Sequence, residues 1–571
     1  MMKRFKIIKL TLMSIAVVIM STVSCSDEFL EVAPTGSLSE TELSTLPGLE
    51  GSLIATYSFL LGRGGFYSGA ENWFWGSVMG GDANKGTDAG DQSQMNEIQA
   101  YAVQTNNGSV LEKYRVNFEG IARANNTLKL VALAEEVSDD DKTRITAETR
   151  FLRGHYYFDQ KVNFNNVPYV DENWDGVEPV PNNQDLWPLI EADFMFAFNN
   201  LPETMSDGGR ANKWAAASYL GKTYLFQGKY SEAKGMFDQV LSNGVTASGA
   251  PYGLLPYYGN AFRATHDNSE ESVFAAQAAA GTGSVNNANA GMVLNFPHGT
   301  AGPPRPGGCC GFNQPSQELV NSYRVGVDGL PLPEGTWNSA LEEVGSDFGL
   351  QSGDVYVVDL KPIDPRVDHN VGRRAIPYLD WGPHPGFDWI RNQPNGGPYS
   401  PKKFIYYEAG IGVENDVSGW TPGYTTVNYN IIRFADVLLM AAEAEIMLGN
   451  IDAGRVLINQ VRARAATSNI AGSPAVYICN EYASLGSQDE AMEALRIERK
   501  LELSGEGHRM YDLVRWGIAA QTLNDYLAYE SQFIPGLQGA TFTANKNEYL
   551  PIPQNEIDLL GTDVLTQNPG Y

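Results

Sequence analysis

Ala217-Ser218-Tyr219-Leu220-Gly221-Lys222-Thr223-Tyr224, followed after a Gly228-Lys229-Tyr230 turn by Ala233-Lys234-Gly235-Met236-Phe237, is the stretch from which the fold can be read. Its small and apolar residues recur at three- and four-residue steps, so they line one face of each of two successive helices. Small Gly221 and Ala233 would let the two helices approach closely, with Tyr224 and Phe237 filling the seam.

This spacing, Ala-x2-Leu-Gly-x2-Tyr and then Ala-x3-Phe, is that of a tetratricopeptide repeat with Ala217 in place of its Trp. A second, degenerate copy follows when Gly449 is set on Gly228: Ala442 then stands where Gly221 does, and Ile458 where Phe237 does. Outward from the first pair, Ile121, Leu128 and Val131, then Ile145, Phe151, Leu152 and Tyr156, continue the helical period, so residues 25–240 read as mainly α. Between 241 and 430 the texture changes to Gly, Pro, Asn and aromatic residues, and helix returns at Ile431. No linker or charge block isolates 241–430, which reads as loops and short strands built onto a helical frame. Residues 25–571 are therefore expected to form one compact unit, with 431–571 as its C-terminal helical region.

The chain opens with Lys3, Arg4, Lys6 and Lys9 before an apolar run from Leu10 to Met20, too short to span a bilayer as a mature helix. Residues 1–24 read as a signal peptide. Ser21-Thr22-Val23-Ser24-Cys25 looks like a bacterial lipobox, in which Cys25 becomes the acylated, palmitate-bearing N-terminus of the mature chain. Forty Lys and Arg against 67 Asp and Glu give a net charge of −27, which argues against a nucleic-acid partner.

Three other cysteines follow, at positions 309, 310 and 479, so at most one intramolecular pair can form. Cys309 and Cys310 could close a vicinal disulfide within Pro306-Gly307-Gly308-Cys309-Cys310-Gly311, a rigid knuckle able to face a ligand. Two small buried thiols are the simpler reading.

Several segments in order resemble the SusD/RagB family of outer-membrane nutrient-binding lipoproteins. They are Cys25-Ser26-Asp27-Glu28; Ala147-Glu148-Thr149-Arg150-Phe151-Leu152-Arg153-Gly154-His155-Tyr156-Tyr157-Phe158 with Asn166-Val167-Pro168; Ile432-Arg433-Phe434-Ala435-Asp436; Val461-Arg462-Ala463-Arg464; Glu498-Arg499-Lys500-Leu501-Glu502-Leu503 with Asp512-Leu513-Val514-Arg515-Trp516-Gly517; and Tyr549-Leu550-Pro551-Ile552-Pro553 with the terminal Gln567-Asn568-Pro569-Gly570-Tyr571. The resemblance implies a mainly α, SusD-like fold in which tetratricopeptide-like helix pairs frame a loop-rich ligand-binding region. It also implies a non-enzymatic lipoprotein, anchored in the outer membrane and facing outward, that captures a glycan for a SusC-like TonB-dependent transporter. Peptide capture on the same scaffold and a surface glycoside hydrolase are the alternatives.

Arg499, Glu502, Arg509, Asp512 and Arg515 recur at helical spacing and read as an ion-pair network rather than as chemistry. Metal and nucleophile signatures are missing: the six histidines (155, 266, 298, 369, 384, 508) lack ligand spacing, and neither His-Glu-x-x-His nor Gly-x-Ser-x-Gly occurs. No cofactor is expected. Asp171, Asn173 and Asp175 copy the first half of a calcium loop, but Asn182 stands where the closing Glu should be, so an Asx-rich turn competes with a structural calcium site.

A glycan site needs aromatic platforms for the C–H faces of sugars and short polar groups for their hydroxyls. The candidates are Trp73 and Trp75 with Asp82 and Asn84 in one Gly-rich segment, and Arg305, Trp337, Trp381, His384, Trp389, Arg391 and Tyr399 among the turns of the middle region. Anchoring of the loops by buried rings is the competing reading for each Trp.

Overall fold

The computed structural model describes residues 40–62, 65–299 and 301–571. The signal peptide and Cys25 lie outside the described residues.

Six longer helices frame the N-terminal half: α1 (Leu46–Tyr57), α2 (Gly108–Leu133), α3 (Asp139–Phe164), α4 (Trp187–Asn200), α5 (Lys213–Phe226) and α6 (Tyr230–Asn243). Their starts are written in the sequence. Asn107 caps α2 by accepting from the Ser109 and Val110 amides, Ser138 caps α3 ahead of Asp139, Asp140 and Asp141, and Asn212 caps α5. The α5–α6 pair forms as its spacing predicts. Gly221 faces the Phe237 ring, which a Cβ at 221 would meet at 2.6 Å, and Gly228 turns the chain with φ +70°. Tyr224 departs from expectation: it stays half-exposed under Lys229 instead of filling the seam.

Strand content is small. β1 (Ala83–Gly86) pairs antiparallel with β3 (Phe312–Pro315), and β2 (Ser272–Ala276) with β4 (Tyr429–Arg433). A third two-stranded sheet joins Val371–Gly372 to Ser400–Pro401. Ile431 lies inside β4 rather than in a helix, because its neighbours Asn430 and Ile432 pair with Ala275 and Phe274 of β2; helix resumes at Phe434. The C-terminal frame is α7 (Phe434–Met447), α8 (Ile451–Ala466), α9 (Gln488–Leu503), α10 (Arg509–Arg515) and α11 (Ala519–Glu530). α7 and α8 form the second helix pair, turning at Gly449 with φ +85°. Its close approach comes from Gly454, where a Cβ would meet Ile446 at 2.5 Å.

One buried apolar cluster runs from Leu49 to Leu565 and includes residues of all three sequence regions. Stacked Phe194 and Tyr219, with Phe151 edge-on to Phe274, tie α3, α4 and α5 to strand β2. Beside this cluster lies a buried ionic web. Arg433 reaches Glu271, Glu502 and Glu506 at 2.6–2.8 Å, Arg366 reaches Asp364 and Glu498, and Arg499 bridges Asp436 and Asp512. Mutual pairing lets so many charges leave water, and it fixes the middle region to the C-terminal helices.

Candidate functional site

Eight of the eleven side chains singled out for ligand contact are sealed in the interior, each at most 1% exposed: Trp73, Trp75, Asp82, Asn84, Trp337, His384, Trp389 and Tyr399. A stacking platform must offer a ring face, and these rings offer none. Trp73 and Trp75 sit in a π-helical turn, Trp73–Val78, and donate their indole N–H groups to the carbonyls of Phe66 at 2.8 Å and Tyr67 at 2.6 Å. Asp82 Oδ2 accepts from the Gly505 amide at 3.2 Å, and burial raises its carboxyl to about 6. Asn84 bridges Glu530 and Tyr526.

Trp337 donates to Glu318 and Trp389 to the Pro303 carbonyl, while the Tyr399 hydroxyl donates to Gln317. His384 shares a hydrogen bond with Ser400 and accepts from the Gly386 amide; burial pushes its imidazole down to about 3, so it is neutral. Trp381 is half-buried against Tyr406 and donates to the Tyr406 carbonyl at 3.0 Å. These rings anchor long loops, which need small cores of their own.

The calcium candidates form turns. Asp171 and Asp175 accept from the amides two residues on, those of Asn173 and Val177. No group of three His, Cys, Asp or Glu arranged to hold a metal occurs among the described residues.

Arg305 and Arg391 remain at the surface, and they lead to a side chain that the sequence reading passed over. Trp420 is 60% exposed. It is nonetheless fixed: its indole N–H donates to the Tyr424 hydroxyl at 2.9 Å, and its ring meets Phe66 edge to face at 6.3 Å. Its loop is knitted by Asn415 donating to the Pro422 carbonyl and by the Asp416 amide donating to the Tyr424 carbonyl. Thr421 donates to the Gly307 carbonyl at 2.5 Å, which joins the loop to the 306–311 turn. There the expectation of two free thiols is corrected, because Cys309 and Cys310 are joined in a disulfide.

Beyond the turn lie half-buried His298, whose Nδ1 is 3.3 Å from the Gly308 carbonyl, and Arg391, ion-paired with Asp88 and Asp91 at 2.5 and 2.6 Å. Burial and Arg391 together hold the His298 imidazole below its usual range. These contacts link neighbouring elements into one face: the indole with Phe66, then the disulfide-closed turn beside Pro422, then His298 with Arg305 and Arg391 nearby. An exposed, immobilised indole beside hydrogen-bonding groups can stack on the apolar face of a sugar while the others read its hydroxyls. The sequence did carry the signal for Trp420. Gly419-Trp420-Thr421-Pro422-Gly423 sets a ring among turn residues, as the sequence around Trp381 does.

Residues 270–571 match the SusD family model, and residues 77–225 match a second model described as starch-binding associating with outer membrane. SusD-like protein P2 of Formosa agariphila is 25% identical over 596 residues covering 100% of both chains. Among solved structures, a laminarin binding SusD-like protein is 25% identical and covers 92% of this chain and 99% of its own, with a TM-score of 0.65. A SusD superfamily protein from Bacteroides vulgatus ATCC 8482 gives 0.66 at 22% identity, covering 93% and 99%. With the family match running over more than half of its length and the same fold in both solved relatives, the chain belongs to the SusD family.

Proposed function

We propose that this protein is a non-catalytic, lipid-anchored outer-membrane protein that captures a glycan on the Trp420 face and passes it to a SusC-like TonB-dependent transporter. The observation that carries the reading is the exposed but immobilised Trp420. Leaving so much indole in water has no benefit for folding, whereas an indole fixed in advance loses little entropy when a sugar stacks on it. The laminarin-binding relative supports a glycan as the ligand.

Catalysis is not part of the proposal. Glycoside hydrolysis asks for two carboxyl groups flanking the bond, and Asp88 and Asp91 on this face are both committed to Arg391. No described helix is long and apolar enough to cross a membrane, which suits attachment through acyl chains on Cys25. Replacing Cys25 with Ala should move the protein from the membrane to the soluble fraction.

The test is calorimetric titration of the full mature chain with a panel of polysaccharides and mixed peptides, with product analysis of every hit. A polysaccharide that binds and is recovered intact supports the proposal. Shortened products would make the protein an enzyme, and binding of peptides alone would replace the glycan.

A further inference from the structure

We infer that Arg305 reads an anionic substituent, a carboxylate or a sulfate ester, on a sugar unit neighbouring the one that stacks on Trp420; the inference rests on the glycan-capture reading above.

Most buried arginines in this chain pair with carboxylates, and Arg263 and Arg374 donate to backbone carbonyls instead. Arg324 pairs with Asp359, Arg366 with Asp364, Arg373 with Asp368, Arg433 with Glu502, and Arg499 with Asp512. In a sequence with 67 acidic residues and 40 basic ones, partners are plentiful. Like Arg496, whose guanidinium at least lies over the Trp516 ring, Arg305 has neither kind of partner. It is half-buried, yet among the described residues it has neither an ion pair nor a hydrogen bond, and its Nε is shielded from water with no acceptor. Burial lowers its pKa, and no neighbouring carboxylate offsets the effect. A shielded donor without a partner is a standing cost to the folded state, and a planar guanidinium left open is suited to a two-oxygen anion.

Its position ties it to the indole. Arg305 lies two residues before Gly307, so its Cα is at most about 7.6 Å from that of Gly307. Gly307 in turn accepts from Thr421, the neighbour of Trp420, and its amide donates to the Tyr406 hydroxyl at 2.9 Å. The turn that carries these contacts is held by the Cys309–Cys310 bond and by the Gly311 amide donating to the Phe296 carbonyl. Arg305 is therefore mounted on a fixed element of the same face, not on a free loop. His298, whose imidazole is held below its usual range by burial and Arg391, adds a hydrogen-bonding group without a competing carboxylate, while Asp88 and Asp91 are occupied by Arg391.

The test uses the full mature chain and soluble β-1,3- and β-1,4-glucans, each in neutral, carboxymethylated and sulfated form, so that each backbone is its own control and the two anions are separated. For at least one anion, the wild type should bind the charged form five- to tenfold more tightly than the neutral one. Arg305→Gln should remove that preference and leave neutral-glucan affinity within twofold. Arg305→Lys should restore only part of it, and neither variant should lower the melting temperature. Equal or weaker binding of both charged forms, or a preference that survives Arg305→Gln, overturns the inference while leaving glycan capture in place. Failure of every form of both backbones to bind the wild type overturns the capture reading and the inference with it.

Discussion

Gly76, in the π-helical turn, lies so close to Gly507 that a Cβ at position 76 would sit 1.8 Å from the Gly507 carbonyl oxygen. The contact is backbone on backbone, and the Gly507 amide donates to Ser77 Oγ at 2.9 Å beside it. Through this junction the segment that supports Phe66 is fixed to the C-terminal helices. Gly76→Ala is therefore expected to cost about 3 kcal/mol or more, because the obstructing atom belongs to the main chain. Gly235→Ala on α6, with nothing within 4 Å of the added methyl, should stabilise by about 0.5–1 kcal/mol through helix propensity. Chemical denaturation of the two variants checks both values.

Glu71 is buried with neither carboxylate oxygen hydrogen-bonded, and burial pushes its carboxyl up to about 7. Between about pH 4.5 and 7 the folded chain thus holds a proton there that the unfolded chain releases, so this group's contribution to stability falls as pH rises through that window. Glu71→Gln should match the wild type near pH 5 and exceed it at pH 8.5 by on the order of 3 kcal/mol. Denaturation midpoints measured across this range check the sign, and a pH-independent difference would show that Glu71 is ionised in the fold.

Arg433 opposes three buried carboxylates, those of Glu271, Glu502 and Glu506. Burial alone would raise the carboxyls of Glu502 and Glu506, but their arginine and lysine neighbours hold both below the usual range. The stability that these two contribute is present above their unfolded pKa and is lost as pH falls through the folded values. Arg433→Met should cost about 3–5 kcal/mol at pH 8, where the carboxylates are left uncompensated. The loss should shrink toward pH 4 as they take up protons. Thermal melts at both pH values measure it.

The helical frame was legible because its determinants are local. Asn107, Ser138 and Asn212 cap the helices that directly follow them, and Gly221 meets Phe237 as the repeat spacing requires. The site was less legible, because a Trp in a Gly/Pro-rich loop looks the same whether it anchors that loop or is presented by it. Trp75 and Trp389 are buried and donate to backbone carbonyls, whereas Trp420 is exposed and donates to the hydroxyl of buried Tyr424. The difference lies in partners more than a hundred residues away in sequence, such as Gly307 for Thr421 and Phe66 for Trp420, which no local pattern encodes. Ile431 misleads for a similar reason, since its strand exists only because Ser272–Ala276 lies alongside.

The central claim is that the Trp420 face holds the glycan, and the most direct measurement is calorimetric titration of wild type, Trp420→Ala and Trp75→Phe with a polysaccharide that binds the wild type. The account predicts that Trp420→Ala weakens binding about five- to thirtyfold with an unchanged melting temperature, since stacking on an aromatic ring contributes on the order of 1–2 kcal/mol. It predicts that Trp75→Phe lowers the melting temperature, because the hydrogen bond to the Tyr67 carbonyl is lost, while affinity stays within twofold. Full affinity in Trp420→Ala would contradict the account and move the site elsewhere on the molecule.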